Sequence, residues 1–203
     1  TDVMVELNFD HSRPPALVDL NAVSELRGWH RESGEVVLGS GLTYTEAMSE
    51  ELAGLLPALA MASRTVGSPQ IRNRGTIGGN LGTSSPAGDA LPPLLVEGAE
   101  VEVASVRGTR RIALQEFLLG VKRNALEPDE LITAVRVEPS RAGQTFMKVG
   151  PRNAMVIAVC SFSVALDPEA RTVGTAIGSA APTVIRARDA ERFLEGVLDE
   201  TGG

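Results

Sequence analysis

Between Thr65 and Pro93 the regular spacing of apolar residues seen elsewhere in the chain gives way to a long run of Gly, Ser, Pro, Asn and Thr. A connection of this length without secondary structure of its own is uncommon in a compact domain, where it is either functional or disordered. The interleaved Ile71, Ile77 and Leu81 argue against disorder. At its centre, Gln70-Ile71-Arg72-Asn73-Arg74-Gly75-Thr76-Ile77-Gly78-Gly79-Asn80-Leu81-Gly82 places four glycines within eight positions, and Ser85-Pro86-Ala87-Gly88-Asp89 follows. Glycine reaches positive φ without steric cost and carries no Cβ to block a ligand, so consecutive N–H groups can point into one concavity. Such a nest suits a diphosphate, with Thr76 and Asn80 as side-chain donors and Asp89 as an acceptor for sugar hydroxyls. The spacing is neither G-x-G-x-x-G nor G-x-x-x-x-G-K-[ST], and no lysine follows the glycines, which excludes a Rossmann turn and a P-loop. A glycine-rich turn packed against a sheet is the plain alternative.

The flanking sequence supplies the scaffold. Val3, Val5 and Leu7 alternate with other residues and Ala16-Leu17-Val18-Asp19-Leu20 follows a Pro14-Pro15 breaker, which predicts two short strands around a polar loop. A third strand is expected over Val36 to Gly39, closing at the Gly39-Ser40-Gly41 turn. Thr43 with Glu46 three residues later fits a capping box, and Ala47, Leu52, Leu55, Leu56 and Leu59 continue a helical period broken near Gly54 and Pro57, ending near Arg64. Ala99 to Val106, Arg111 to Leu114, Glu130 to Val137, Phe146 to Val149, Met155 to Leu166 and Thr172 to Ile177 read as strands, with Gly108 in a turn and a helical turn over Gln115 to Leu119. A last helix over Arg188 to Leu198 puts Ala190, Phe193, Leu194 and Val197 on one face. Runs of strands with grouped helices indicate an α+β fold. A boundary falls near Pro139-Ser140-Arg141, dividing the chain into 1–139 and 142–203. The chain opens as a strand already under way and closes on Gly202-Gly203 just after a helical pattern, so further sequence is expected on both sides.

Composition removes several classes of function. The 203 residues carry a net charge of −7, with the basic residues scattered, which argues against nucleic acid as a partner. The single Cys160, in the apolar run from Met155 to Val164, reads as a core thiol; with only His11 and His30 beside it, the chain can build neither a disulfide, nor an iron–sulfur cluster, nor a structural zinc site. Any metal redox centre must come from another chain. No run approaches the roughly 18 apolar residues of a membrane span and no signal peptide is recognisable, so a cytoplasmic location is the default expectation. Arg107, Arg110 and Arg111 surround a glycine turn and read as solvated, while neither His11 nor His30 has a neighbour that suggests a triad.

The Thr76-Ile77-Gly78-Gly79-Asn80 loop, preceded by Gln70-Ile71-Arg72-Asn73 and followed nine residues later by Asp89, resembles the FAD-binding subunits of xanthine dehydrogenase-like and carbon monoxide dehydrogenase-like molybdenum hydroxylases. Glu130-Leu131-Ile132 and Phe146-Met147-Lys148-Val149-Gly150-Pro151-Arg152 extend the likeness over nearly the whole chain. The resemblance implies an FAD-binding domain of the PCMH or vanillyl-alcohol-oxidase type over 1–139, then a smaller α+β domain like the C-terminal one of carbon monoxide dehydrogenase flavoproteins over 142–203. It further implies that Thr76, Ile77, Gly78, Gly79 and Asn80 cradle the diphosphate of FAD and that Asp89 bonds its nucleotide portion. Val66 would contact FAD by packing, Ile132 would lie against the flavin, and Lys148 would approach the flavin's polar part. The family's first glycine-containing loop has a counterpart here only in Thr1, Asp2 and Val3, at its tail, and the second domain stops after one helix.

By the same resemblance, a molybdenum subunit would oxidise the substrate, an iron–sulfur subunit would deliver electrons, and FAD on this chain would pass them to NAD or another acceptor. The protein's part is binding, orientation and electrostatics, so no catalytic side chain is assigned. Two alternatives differ in kind: a stand-alone FAD-dependent oxidoreductase of the same fold, which needs a substrate acid or base that the sequence does not offer, and a non-enzymatic interaction domain whose glycine loop is only a turn.

Overall fold

The computed structural model describes residues 1–140 and 143–201; Arg141 and Ala142, inside the expected boundary, and the terminal Gly202-Gly203 lie outside the described residues. Helix α1 (Asp2–Asn8) leads into an extended segment, then β1 (Trp29–Glu32), β2 (Glu35–Gly39), α2 (Glu50–Leu55), α3 (Pro57–Thr65), α4 (Pro69–Arg72), α5 (Ile77–Thr83) and α6 (Leu91–Val96). Next come β3 (Glu100–Ser105), β4 (Gly108–Ala113), α7 (Leu114–Phe117), β5 (Leu118–Gly120), β6 (Arg123–Asn124) and β7 (Leu131–Val137). The chain ends on β8 (Gly143–Val149), β9 (Cys160–Asp167), β10 (Thr172–Gly178) and α8 (Arg188–Thr201). The fold is α+β, as expected. No helix among the described residues is long and apolar enough to cross a membrane.

An antiparallel sheet in the order β1-β2-β7-β3-β4 forms the first layer. Its inward positions are β-branched or leucine: Val36 and Leu38 pair with Val137 and Val135, and Val101 pairs with Val135, all of them buried. The opposite face is held by charge, because Arg136 donates to Glu102 and Glu32 at 2.6 Å each and to Glu35 at 3.0 Å. A second antiparallel sheet, β10-β9-β8, packs against α6, whose residues from Leu91 to Val96 are all buried. Phe146 of β8 enters a small cluster with Ala58 and Ala62 of α3. Helices α3 and α6 therefore join the two sheets, and the segment between them, which carries the glycine motif, lies where both can reach it.

Several expectations fail for identifiable reasons. Val3 to Leu7 is helical, with the Val5 and Phe9 amides donating to the Thr1 and Val5 carbonyls at 3.4 and 3.0 Å. Apolar Met4 interrupts the alternation, and no neighbouring strand is available to pair with it. Ala16 to Leu20 is exposed and unpaired, and a strand without a partner has no ladder to stabilise it. The apolar run from Met155 becomes strand only at Cys160, which is half-buried rather than a core thiol. Strands β1, β5 and β6 have no counterpart in the sequence pattern. Arg107, Arg110 and Arg111 do stay exposed as expected, while Arg107 pairs with Asp129 and Arg110 forks onto both Glu130 oxygens at 2.8 Å. The expected apolar face of α8 stays largely uncovered, Phe193 being 71% exposed. That helix docks instead through buried Glu191, which accepts from the Thr175 amide at 2.8 Å and from Arg186 at 2.8 Å.

The expected structureless stretch from Thr65 to Pro93 holds three short helices. Ser68 caps α4 and Thr76 caps α5, while Ile77 and Leu81, one helical turn apart, are fully buried. Glycines at 78, 79 and 82 cost the α5 helix roughly 1 kcal/mol each relative to alanine. Burial of Ile77 and Leu81 contributes about 1.5–3 kcal/mol each, which is enough to offset that cost.

Candidate functional site

The entry to α5 is stapled to the turn that follows β2. Thr43 and Thr76 form an isolated antiparallel bridge; the Tyr44 amide donates to the Gly75 carbonyl at 3.1 Å, the Ile77 amide to Leu42 at 2.9 Å and the Gly78 amide to Ser40 at 2.9 Å. Thr76 accepts from the Gly79 amide through Oγ1 at 2.9 Å and from the Asn80 amide through its carbonyl at 3.0 Å. Amides 77 to 80 are thus satisfied within the protein, and none of Gly75, Gly78, Gly79 or Gly82 has a positive φ. The nest of free amides expected from the sequence is therefore not how this segment is built.

Two of the glycines serve close approach instead. A Cβ on Gly78 would stand 2.5 Å from Ser40 Cβ and 2.6 Å from its carbonyl oxygen, and one on Gly75 would stand 2.9 Å from the Tyr44 ring. Gly79 and Gly82 are exposed, and Gly79 is the one that faces a cavity. With Gly78 and Thr76, Gly79 lines a cleft of about 420 Å³ that also takes in Ser40, Gly41 and Ile132. A smaller cavity of about 130 Å³ brings Thr1, Asp2 and Val3 against Thr76, Gly79 and Asn80, and Thr83 Oγ1 donates to Asp2 at 2.8 Å. The structure therefore gathers Thr1, Asp2, Val3, Thr76, Gly78, Gly79, Asn80 and Ile132 around one region. Ile77 stands behind it, buried as the anchor of α5.

Asp89 and Lys148 meet each other. Lys148 Nζ donates to Asp89 Oδ2 at 2.6 Å and to the Thr65 carbonyl at 3.3 Å, and both side chains are more than nine-tenths buried. Burial pushes the Asp89 carboxyl above its usual range, while the Lys148 ammonium and the Thr65 hydroxyl pull it back. Its other oxygen, Oδ1, is buried without a partner, and so is Asn80 Oδ1. Val66, the C-cap of α3, packs against the main core and lines none of these cavities.

Sequence reasoning passed over Tyr44, Thr65 and the Ser40-Gly41 corner. Tyr44 is buried over Gly75, and that burial, with Asp89 and Asp2 nearby, drives its hydroxyl well above its usual range. No spacing rule links these residues to the glycine motif; the Gly39-Ser40-Gly41 turn was visible only as the end of a strand. Arrays of this kind fit a dinucleotide. The cleft is open above Gly79, where a side chain would narrow it, and two oxygens behind it, Asn80 Oδ1 and Asp89 Oδ1, are buried without a donor.

Comparison with known proteins gives a consistent result. The family model described as the FAD binding domain in molybdopterin dehydrogenase matches residues 1–139. The chain is 34% identical to the xanthine dehydrogenase FAD-binding subunit of Escherichia coli O157:H7, over 96% of its own length and 70% of that protein. It is 36% identical to the nicotinate dehydrogenase FAD-subunit of Eubacterium barkeri, over 82% of its length and 58% of the other. Among solved structures, reconstituted CO dehydrogenase from Oligotropha carboxidovorans superimposes with a TM-score of 0.90 at 28% identity, covering 95% of this chain and 69% of that one.

Proposed function

Because the chain belongs to the family of FAD-binding domains of molybdopterin dehydrogenases, we propose that it holds FAD between an iron–sulfur subunit and a molybdopterin subunit and passes their electrons to NAD or another soluble acceptor. The chain is a flavoprotein component of an oxidoreductase, which sets aside the reading as a non-enzymatic interaction domain. The division into 1–139 and 142–203 as separate domains, and a cytoplasmic place of work, belong to the same proposal.

The observation that carries it is the cleft lined by Thr76, Gly78, Gly79 and Ile132. When bound, FAD supplies a ring able to take electrons singly and give them up as a pair. The chain's residues bind and orient it. The Thr76 hydroxyl, though it accepts from the Gly79 amide, keeps its own proton to donate to a phosphate oxygen. Thr76 to Asn80 and Thr1 to Val3 are assigned to the diphosphate. Asn80 Oδ1 and Asp89 Oδ1, both buried without a partner, are assigned to accept from hydroxyls of the nucleotide. Ile132 offers an apolar wall, Val66 supports the packing from the end of α3, and Lys148 places a cation at the polar edge, where negative charge is stabilised.

The test is direct. The full-length protein should be yellow, with molybdenum and iron in stoichiometric partner chains. Gly79→Val should fold and lose flavin, because the new side chain projects from the exposed wall of the cleft. Undiminished flavin in that variant would refute the assignment of the cleft, and a colourless wild type that FAD cannot reconstitute would refute the flavin reading altogether.

A further inference from the structure

Two side chains assigned to different parts of FAD stand in direct contact. Lys148 is assigned to the polar edge of the flavin and Asp89 to hydroxyls of the nucleotide, yet Nζ of the one meets Oδ2 of the other at 2.6 Å. The side chains are only 7% and 6% exposed, so water screens neither charge. A lysine that faces the flavin therefore brings a carboxylate with it through Oδ2, while Oδ1 stays available for its assigned hydroxyl.

Burying such a pair stabilises a fold little or not at all beyond what two apolar side chains of similar volume contribute. Its consequence is electrostatic. Thr65 holds both members, its carbonyl accepting from Lys148 at 3.3 Å and its hydroxyl donating to Asp89 Oδ2 at 3.4 Å, so the end of α3 fixes where the two charges stand. The other groups around the pair do not cancel it. Arg64, Arg72 and Arg152 line the cavity onto which Lys148 opens, and the Tyr44 phenol, driven far above its usual range by burial, stays neutral near Asp89.

We propose that Asp89 is the counter-ion that sets the reduction potential of the flavin, by cancelling part of the positive field of Lys148, a role that rests on the placing of FAD given above. Uptake of two electrons from the iron–sulfur partner and one proton from solvent leaves the ring negatively charged at neutral pH, and charge placed beside the ring tunes that equilibrium. Lys148 alone would favour the negative ring and raise the potential. Asp89, in contact with it, lowers the potential again and makes the reduced flavin a stronger donor to the acceptor that follows. At an effective dielectric constant of about 20, a unit charge several ångströms away shifts such an equilibrium more than tenfold.

The test is the midpoint potential of the flavin in the complete complex, titrated spectroelectrochemically at the flavin's own absorbance, with flavin content measured alongside. Asp89→Asn should favour reduced flavin at least tenfold, an upward shift of about 30 mV for a two-electron couple. Lys148→Met is the more tolerant single variant, because its surviving carboxyl can shed its charge by taking a proton, and it supplies the opposite arm should Asp89→Asn fail to fold. Its potential should fall at least tenfold below wild type as pH rises through the titration of Asp89. The double variant carries neither charge and should return to within about threefold of wild type, and Arg31→Gln, an exposed change on β1, should shift nothing. An unchanged or lowered potential in Asp89→Asn, a Lys148→Met potential that tracks wild type at every pH, a shift that survives in the double variant, or an equal shift in Arg31→Gln would overturn the proposal. Folded variants that hold no flavin would overturn it too, since the pair would then bind the cofactor rather than set its potential. A wild-type complex without flavin refutes the FAD cleft instead, so the two failures are read apart.

Discussion

Replacing Asp89 by Asn should leave the Lys148 ammonium buried with only the Thr65 carbonyl, at 3.3 Å, as partner. Removing one member of a buried, hydrogen-bonded ion pair costs about 3–5 kcal/mol, because the survivor stays desolvated without compensation. Lys148→Met leaves the opposite charge, and here the outcome differs in kind. Burial already pushes the Asp89 carboxyl above its usual 3.8, and loss of the neighbouring cation removes the strongest influence pulling it down. Asp89 can then escape its burial cost by taking a proton. A carboxyl whose folded pKa is raised contributes stability below its unfolded pKa and loses it as pH rises through the folded one. The deficit of Lys148→Met should therefore be large at neutral pH and shrink on acidification, while that of Asp89→Asn, which has no carboxyl to protonate, should not shrink in this way. Asp89→Asn combined with Lys148→Met removes both charges and should be less destabilised than either single variant, so the coupling should exceed about 3 kcal/mol. Urea unfolding followed by circular dichroism, on flavin-free protein so that ligand binding does not enter, measures all four corners of the cycle. Single variants within about 1 kcal/mol of wild type, or a double variant as unstable as the sum of the singles, would refute the account of a buried, mutually compensating pair.

Two further outcomes follow from geometry and charge. Gly78→Ala would press a Cβ to 2.5 Å from Ser40 Cβ and should destabilise by about 1–3 kcal/mol, read as a lower urea midpoint, with the Gly78 amide losing protection from hydrogen exchange. Glu130 is held down to about 2 from 4.5, first by the fork of Arg110 and then by the Glu127 amide. A depressed carboxylate contributes stability above its unfolded pKa and loses it as pH falls through the folded value, so Glu130→Gln should flatten the loss of stability that wild type shows between about 4.5 and about 2. An unchanged acid slope in that variant would remove Glu130 as its source.

Elements whose signal is local were legible. The Thr43 and Glu46 capping box forms as read, with the Thr43 amide donating to Glu46 at 2.8 Å and the Glu46 amide to Thr43 Oγ1 at 3.2 Å. The break at Pro57, the strands β2, β3, β7 and β10, and the turn at Gly108 likewise carry their own residues. What failed depended on partners. Val3 to Leu7 and Ala16 to Leu20 have strand-like composition, but a strand exists only where another strand accepts its hydrogen bonds. Within the candidate site, the motif from Thr76 to Asn80 could be found by composition, whereas the meeting of Asp89 with Lys148, 59 residues apart, could not. Neither residue carries any mark of the other in sequence.

The glycine motif shows why composition located the site but misjudged its construction. Absence of a Cβ permits positive φ and permits close approach, and a sequence does not distinguish the two uses. The distinguishing signals were present but modest: Thr76, able to cap the third residue after it, and the apolar pair Ile77 and Leu81 at helical spacing. Taken together they require a helix, and its first amides are taken up by the Leu42 and Ser40 carbonyls and by the Thr76 cap rather than left free as in a nest. Ligand contacts must then come from side-chain hydroxyl and amide groups and from the bare Cα of Gly79. The region depends less on loop flexibility than on how firmly α5 is held to the turn after β2 and on how firmly the second sheet, through Lys148, is held to Asp89. Both attachments are buried and join residues distant in sequence. A site made in this way is preorganised before any ligand arrives, at the expense of tolerating little change at Gly78 or in the Asp89–Lys148 pair.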